Sequence, residues 1–436
     1  MDLTYDCKKN EKAFIVSVVS GKFEGYETQE SSNRSLLELK ELLRTLEVVV
    51  VGQAIQNKKK LEAATILGSG KLEEISLEAK SHNADYLVFD FELTASQMRN
   101  INKVTGLTVF DRCQIILQIF SMHARTKEAT LQIEISKLNY LLPRLTSLWT
   151  HFSKQKGGIG LKGEGEQQLE LDRRIVRKRI QTYEKQLKGL KVSRQERKKK
   201  RANETLTAAL VGYTNAGKSS LMNSLCKVDV LSENKLFATV DSTFRTLTPD
   251  TKPPLILIDT VGFLSNLPNT LIEGFKTTLE SIDEADLLLI VVDASDPFLE
   301  KHIETTNKVL SELNIDEKER IYIFNKKDKV EDMLKMKVKT RKYPHSYFVS
   351  AHEEGEILGL RKNIINHFLD QQVYQDLFVP YTEGNIHSKI EKFTNIEKRT
   401  NHETGIYYRI RTPDHLFQTI GIKSFALSNE DKEKYL

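Results

Sequence analysis

Residues 212–219 have the types and the spacing that bind a nucleotide phosphate. Gly212, Gly217, Lys218 and Ser219 occupy the fixed positions of the pattern G-x-x-x-x-G-K-S, directly after an apolar run. In such a loop, backbone N–H groups surround the β-phosphate, the lysine reaches the β and γ oxygens, and the serine hydroxyl ligates magnesium. The variable positions of this phosphate loop are Tyr213, Thr214, Asn215 and Ala216. The stretch therefore predicts a Mg²⁺-dependent nucleoside triphosphate site.

A second motif further along the chain has the residues that recognise a base. Asn325, Lys326, Lys327 and Asp328 form an N-K-x-D box after an apolar run. A carboxylate can accept hydrogen bonds from both N1–H and the amino group of guanine, and adenine lacks this pair of donors. The aliphatic stem of Lys326 can cover the face of the ring. The two motifs in this order indicate GTP rather than ATP. A further segment is expected to place backbone N–H groups at guanine O6: Ser350, Ala351 and His352.

Two segments between these motifs have the sequence of loops that sense the γ-phosphate. Residues 259–262 form D-x-x-G, in which Asp259 would hold magnesium through a water and the N–H of Gly262 would meet the γ-phosphate. Thr260 and Val261 lie between them. Upstream, a threonine that ligates magnesium only in the presence of the γ-phosphate is expected, and Thr239 and Thr243 are both candidates. The segment that contains Thr239 also holds Phe237, Ala238, Val240 and Asp241.

The elements that must position these motifs alternate between apolar strand-like runs and helical runs. The expected strands cover residues 206–211, 255–258, 287–292, 321–324 and 347–349. This alternation predicts a doubly wound, mostly parallel α/β sheet for residues 204–370, with each motif at the end of a strand. Residues 371–436 are predicted to form a small C-terminal domain in which 405–411 is a strand.

The first part of the chain predicts a small α/β domain over residues 1–110, because strand-like and helical runs alternate there as well. Residues 68–71 of this domain read Gly-Ser-Gly-Lys before a predicted helix. We interpret them as a tight strand-to-helix turn, with a second phosphate cradle as the alternative.

Residues 111–203 are predicted to form an antiparallel helical hairpin. Apolar residues recur every three or four positions from Ile115 until Pro143 ends the first helix. The second helix would extend about 50 Å. Its apolar residues are spaced alternately four and three positions apart, as in a coiled-coil seam: Val176, Ile180, Tyr183, Leu187 and Leu190.

The hairpin also carries the basic character of the chain. Between Glu166 and Arg201 there are 14 Lys and Arg against 5 Asp and Glu, although the net charge of the whole chain is only +5. This imbalance favours a polyanionic partner. The glycine-rich loop 144–165 and the end of the second helix carry aromatic and basic residues suited to unpaired RNA bases and phosphates: Trp149, Phe152, Lys154, Lys156, Arg197, Lys198, Lys199, Lys200 and Arg201. The alternative is a plain connector beside a solvated charged helix.

The composition restricts the remaining classes of protein. The 436 residues are 39% hydrophobic, as in an ordinary globular chain. Cys7, Cys113 and Cys226 lie far apart, which argues against a structural zinc site and against a disulfide framework. The N-terminus lacks the pattern of a signal peptide, and the longest apolar stretch is too short to span a membrane. We therefore expect a cytoplasmic protein with no transmembrane segment, and peripheral attachment to a membrane is an alternative. We further expect a monomer with no DNA partner.

The sequences of the motifs resemble those of one known family. GYTNAGKSS, LFATVDSTFR, DTVGFL and NKKD, preceded by GGIGLKGEGEQQLELDRR, are similar to the HflX family of translational GTPases in the Obg-HflX group. The likeness covers residues 1 to about 370. It implies GTP hydrolysis, binding of the large ribosomal subunit and its RNA, and GTP-dependent dissociation of stalled or idle ribosomes. It also favours Thr239 as the magnesium ligand, so Lys218, Thr239 and Gly262 are expected to act in hydrolysis.

Two positions bear on the rate of hydrolysis. Phe263 stands where signalling GTPases carry a glutamine that orients water, so slow intrinsic turnover with stimulation by a partner is expected. Asn215 resembles the asparagine with which potassium-activated GTPases hold a monovalent cation, which adds K⁺ to Mg²⁺ as an expected cofactor; alternatively, it only braces the loop. Two other functions stay open: a signalling switch on an acidic protein or membrane surface, and a GTP-assisted RNA remodeller away from ribosomes.

Overall fold

The computed structural model describes residues 6–21, 26–145, 162–202, 204–227, 236–237, 241–247, 251–265 and 282–432. Within its helices, the side chains of residues 162–169, 191–202 and 429–430 are not described. The described residues form two compact units. One contains those up to Leu190 together with 236–237, 241 and 263–265, and the other contains the rest.

The N-terminal sheet has four parallel strands in the order β2-β1-β3-β4. Buried β1 and β3 form its centre, as the apolar runs predict. The small α/β fold expected from the sequence is therefore present. Its elements are β1 (Lys12–Val19), α1 (Gln29–Thr45), β2 (Val49–Asn57), α2 (Ser69–Ser81), β3 (Tyr86–Phe89), α3 (Ala95–Thr105) and β4 (Thr108–Asp111).

The Gly-Ser-Gly-Lys segment forms the turn into α2. Gly68 is the residue before the helix, and its N–H donates to Gln56 Oε1 at 3.2 Å. The Lys71 ammonium pairs with Glu74 Oε1, 2.5 Å away on the same helix. Residues 58–67 separate β2 from this segment, so it is a turn into a helix, as interpreted, but it does not directly follow a strand. The Gly68 N–H and the Lys71 ammonium are both used within the domain itself.

The helical hairpin differs from the prediction in its first arm. Two helices, α4 (Arg112–His123) and α5 (Lys127–Leu141), replace the single helix expected up to Pro143, so that expectation is wrong. Ala124 leaves the helix with φ −65° and ψ 121°, and the Thr126 hydroxyl then accepts the N–H of Ala129 to start α5. Neither glycine nor proline marks this break. A tertiary contact of Thr126, described below, supports it instead.

The second arm is α6 (Lys162–Ala202), a helix of 41 residues. At 1.5 Å per residue it extends about 60 Å. Because it begins at Lys162, the last residues of the predicted loop 144–165 are helical instead. The first part of the expected seam is packed: Val176 and Ile180, with partly buried Tyr183, lie against Leu138, Leu141 and Leu145. Burial of these apolar side chains holds the two arms together. Leu187 and Leu190, also predicted for the seam, do not belong to this cluster.

The sheet that follows has six strands in the order β10-β9-β8-β5-β7-β6. Five strands are parallel, with the central β5 between β8 and β7, and β6 pairs antiparallel at the edge. The predicted strands are all present within a residue or two, and β6 is an addition. The elements are β5 (Leu206–Gly212), α7 (Lys218–Cys226), β6 (Thr243–Thr246), β7 (Leu255–Asp259), β8 (Leu287–Asp293), α8 (Leu299–Glu312), β9 (Arg320–Asn325), α9 (Met333–Thr340), β10 (Ser346–Phe348) and α10 (Glu354–Asp370).

The C-terminal residues form a three-stranded antiparallel sheet in the order β11-β13-β12 with its own apolar core. The predicted strand at 405–411 is its central strand. Its elements are β11 (Val373–Pro380), α11 (Gly384–Phe393), β12 (Asn395–Asn401), β13 (Gly405–Thr412), α12 (Asp414–Thr419) and α13 (Asn429–Lys432).

Candidate nucleotide site

The phosphate loop connects buried β5 to α7, and its glycines are required by close packing. A Cβ on Gly212, whose φ is 154°, would lie 2.2 Å from the carbonyl oxygen of Val291. A Cβ on Gly217, with φ 88°, would lie 2.3 Å from Asn325 Nδ2. Side chains at either position would push the loop away from the neighbouring strands. The glycines of the motif thus let the backbone approach both β8 and the N-K-x-D box.

Lys218 begins α7 with a buried side chain. Its ammonium donates to two backbone carbonyls of the loop, Gly212 O at 3.0 Å and Tyr213 O at 2.8 Å. Burial lowers the pKa of Lys218 from 10.5 to about 8, and the nearby Asp259 carboxylate opposes this shift. The ammonium is therefore close to losing its proton at slightly alkaline pH, so an anion at the loop would stabilise its charge.

We expect nucleotide affinity to fall, and proton uptake on binding to rise, as the pH increases through about 8, the pKa of Lys218. Burial lowers the pKa of Lys218, so the folded chain holds this proton less tightly than the unfolded chain does. The contribution of Lys218 to the free energy of unfolding therefore rises as the pH increases from about 8 to 10.5. Calorimetric titration with GTP at pH 8.5 in two buffers of different ionisation enthalpy measures the uptake. Lys218→Arg, whose guanidinium keeps its proton, should abolish it. Equal proton uptake by the two proteins would contradict this prediction.

Hydroxyl and carboxylate oxygens meet at the start of α7. Ser219 Oγ donates to Asp259 Oδ2 at 2.8 Å, which joins the phosphate loop to the end of β7. Both are hard oxygen ligands of the kind that magnesium prefers, so the pair fits this ion. Next to Asp259, Thr260 Oγ1 donates to Leu210 O at 2.7 Å. A Cβ on Gly262 would lie 2.8 Å from Lys218 Nζ, so only glycine fits there without a shift.

The N-K-x-D box lies directly against the phosphate loop. Asn325 Nδ2 donates to Ala216 O at 3.0 Å, and Lys326 Nζ donates to Asn215 O at 2.7 Å. The Lys326 ammonium also pairs with Asp293 Oδ2, 2.7 Å away at the end of β8. The structure therefore brings these two predicted motifs together, and side chains of the N-K-x-D box donate hydrogen bonds to the backbone of the phosphate loop.

Asp328 faces the Ser-Ala-His segment after β10. A hydrogen bond from the Ser350 side chain lowers the pKa of the Asp328 carboxyl, which is charged at neutral pH. The three backbone N–H groups of the segment all have acceptors in the protein. Ser350 N–H donates to Glu356 Oε2 at 2.7 Å, Ala351 N–H to Asn325 Oδ1 at 3.1 Å, and His352 N–H to Ser350 Oγ at 3.4 Å. Their expected role at guanine O6 stays a prediction.

Residues that flank the predicted magnesium threonine contact α4 and α5. The ring of Phe237 packs edge-on against Phe120, with centroids 4.5 Å apart. Asp241 Oδ2 accepts the N–H groups of Arg125 and Thr126, at 2.7 and 3.0 Å, and so caps the start of α5. This role was not predicted. Ala238, Thr239 and Val240 lie outside the described residues. The alternative ligand, Thr243, lies in β6 and donates to Met222 Sδ at 3.8 Å.

A buried arginine that the sequence analysis missed contacts the chain after D-x-x-G. Arg112 Nη2 donates to the carbonyl of Ser265 at 3.1 Å and to Glu38 Oε2 at 2.7 Å, while Nη1 donates to Asp90 Oδ1 at 2.7 Å. Phe263, expected to lack any role in orienting water, is itself buried. Phe263 lies two residues before Ser265, whose carbonyl accepts from Arg112.

The structure leaves the RNA-contact predictions open. Trp149, Phe152, Lys154 and Lys156 lie outside the described residues. The run from Arg197 to Arg201 lies near the C-terminal end of α6.

Comparison with known families and relatives places this site in context. Three family models match: "GTP-binding GTPase N-terminal" at residues 33–121, "GTP-binding GTPase Middle Region" at 123–201 and "50S ribosome-binding GTPase" at 207–326. A GTPase HflX of Alkalihalophilus pseudofirmus is 41% identical over 353 residues, which cover 81% of each chain. The chain belongs to the HflX family of GTPases. An HflX GTPase of Lacrimispora saccharolytica is 36% identical over 423 residues, 96% of this chain and 97% of that one.

Membership of the HflX family confirms the predicted P-loop fold and the activity: the protein binds and hydrolyses GTP. Among solved structures, a GTP-binding protein of Sulfolobus solfataricus in complex with GDP is similar, with 23% identity, a TM-score of 0.43, and coverage of 80% of this chain and 99% of that one. None of the helices in the described parts of this HflX chain has the length and apolar character needed to cross a membrane.

Proposed function

We propose that this GTPase binds the large ribosomal subunit and its RNA, and uses the GTP cycle to dissociate stalled or idle ribosomes in the cytoplasm. The observation that carries this proposal is α6, a basic helix of 41 residues packed as the second arm of the hairpin. A long basic helix suits a polyanion such as ribosomal RNA. The matching G-domain model, described as that of a 50S ribosome-binding GTPase, supports the same partner.

We assign GTP to the phosphate loop, the D-x-x-G segment, the N-K-x-D box and the Ser-Ala-His segment, within four domains at 1–110, 111–203, 204–370 and 371–436. Ser219 and Thr239 would ligate Mg²⁺, and Asp259 would hold it through water. When bound, the ion would supply positive charge to the phosphates. Lys218 would hold the β and γ oxygens, and the Gly262 N–H would orient the γ-phosphate.

The rate of hydrolysis would depend on the partner. A buried phenylalanine at 263 has no group that could orient water. Slow intrinsic hydrolysis would therefore be accelerated on the ribosome. Asn215 has φ 59°, and its carbonyl accepts the Lys326 ammonium. Its side chain would assist K⁺ binding beside the phosphates, with faster hydrolysis in potassium than in sodium as the expected sign.

Neutralising the run from Arg197 to Arg201 tests the partner. We expect this variant to sediment less with ribosomes and to show a flatter salt dependence, because each lost phosphate contact reduces the logarithmic slope by about 0.7 to 0.9. GTP affinity should stay unchanged, since the nucleotide motifs lie elsewhere. Sucrose-gradient sedimentation with GTP, GDP and a non-hydrolysable analogue measures the association.

A matched control neutralises five other basic residues, in and directly after α9: Lys335, Lys337, Lys339, Arg341 and Lys342. The control loses the same charge and should retain ribosome binding. An equal loss of ribosome binding in both variants would mean that net charge alone explains the effect. Normal co-sedimentation of the first variant would reject the proposed contact.

A further inference from the structure

Glu356 contacts two parts of the base-recognition region, although it belongs to none of its motifs. It lies in the first turn of α10 with a partly buried side chain. One carboxylate oxygen, Oε2, accepts the backbone N–H of Ser350 at 2.7 Å. The other, Oε1, pairs with the ammonium of Lys327. A single carboxylate thus joins the N-K-x-D box to the Ser-Ala-His segment.

The ion pair alone would contribute little, because the Lys327 side chain is more than a third exposed to water. The backbone contact is the informative one. It fixes Ser350, whose hydroxyl hydrogen-bonds the carboxyl of Asp328. Since Asp328 is the group assigned to the N1–H and amino group of guanine, its orientation depends on where Ser350 lies.

Glu356 also restricts which backbone N–H groups can face a base. It holds the N–H of Ser350 at 2.7 Å, whereas the N–H of His352 meets its acceptor, Ser350 Oγ, only at 3.4 Å. A nucleobase oxygen would therefore compete more easily for the N–H of His352 than for that of Ser350. Without Glu356, the N–H of Ser350 would lose its acceptor and could compete for the nucleobase oxygen.

We propose that Glu356 is a positioning residue for guanine recognition, which holds Ser350 and Lys327 so that Asp328 meets the base in one orientation. The inference rests on the assignment of Asp328 as the residue that recognises the base. It extends the site beyond the four motifs to the first turn of α10.

The test compares GTP with inosine triphosphate, whose base lacks the amino group that Asp328 would recognise. We expect Glu356→Ala to lower the ratio of the two dissociation constants, inosine triphosphate over GTP, by about tenfold, because a loosely held carboxylate loses part of its selective hydrogen bond. Glu356→Gln keeps an acceptor for the Ser350 N–H and should recover part of the ratio. Lys327→Met leaves the backbone contact intact and should change the ratio less than Glu356→Ala.

Glu354→Ala is the matched control, since it removes an exposed carboxylate from the same helical turn. It should leave the ratio unchanged. If Glu356→Ala weakens both nucleotides equally, or neither, Glu356 only supports the fold and the inference is wrong. If Glu356→Ala does not fold, Glu356→Met takes its place, because methionine keeps the volume of the side chain but offers no carboxylate acceptor to the Ser350 N–H. An unchanged ratio in Glu356→Met would also overturn the inference. Asp328→Asn, measured alongside, separates the two claims: an unchanged ratio there would reject the assignment of Asp328 instead.

Discussion

Asp328→Asn is expected to weaken GTP binding by about tenfold to a hundredfold, the loss that about 1.5–3 kcal/mol for a hydrogen bond to a charged group implies. An amide cannot accept from both donors of guanine, and its NH₂ group would oppose the amino group of the base. Xanthosine triphosphate carries a carbonyl at that position, so its affinity should rise. The preference between the two nucleotides would then shift strongly towards xanthosine, which competition binding measures directly.

Asp332→Asn provides the control for this substitution. Asp332 lies four residues further on and caps α9, with Oδ1 accepting the N–H of Lys335 at 2.9 Å. Asparagine caps helices as well as aspartate does, so this variant should fold and keep its preference for GTP. Full preference for GTP in Asp328→Asn would show that another group selects the base.

The second large effect concerns stability. Arg112→Met should lower the free energy of unfolding by about 3–5 kcal/mol, because it leaves buried carboxylates without their cation. Arg112 is buried, Asp90 is fully buried, and Glu38 is only 12% exposed. Thermal or urea unfolding measures the loss. Arg399→Met, which breaks an exposed pair with Glu391, should cost at most about 1 kcal/mol.

The loss in Arg112→Met should depend on pH through Asp90. Burial raises the pKa of Asp90 from 3.8 to about 6, although Arg112 opposes the shift. Stability from a raised carboxyl pKa is fully present below 3.8 and is lost as the pH rises through about 6. Without Arg112 the pKa rises further, so the variant should be less destabilised at pH 5.5 than at pH 7.5. Adding Asp90→Asn should recover part of the stability at pH 7.5. A loss that is small and independent of pH would contradict the buried ion pair.

The nucleotide motifs could be predicted from the sequence because their chemistry requires particular residues at fixed spacing. Gly212 and Gly217 illustrate this, since a Cβ at either would clash with β8 or with Asn325. The central strands could be predicted as well, because a parallel sheet buries them and their sequences are continuous apolar runs.

What could not be predicted depends on contacts between distant or polar residues. β6 has mostly exposed residues, and although threonine and phenylalanine favour strands, no apolar run or alternation indicates one there. The break before α5 rests on Asp241, which is 115 residues away from Thr126. Arg112 and Ser265 are 153 residues apart. Glu356 is close to Ser350 in sequence, but a glutamate early in a helix usually serves the helix itself, so its reach back to the Ser-Ala-His segment required the structure.

The position of β5 at the centre of its sheet has a consequence for the nascent chain. β5 pairs with β7, in which Leu255 lies opposite Leu206, and with β8, in which Leu287 lies opposite Ala208, so its two partners are synthesised about 50 and about 80 residues later. The N-terminal sheet, in contrast, has all of its strands once Asp111 has been made. Chains emerge from the N-terminus, and long-range parallel pairing is slow. The first domain can therefore fold during synthesis before β5 has either of its partners, so β5 first emerges as an unpaired apolar strand, which is prone to aggregation.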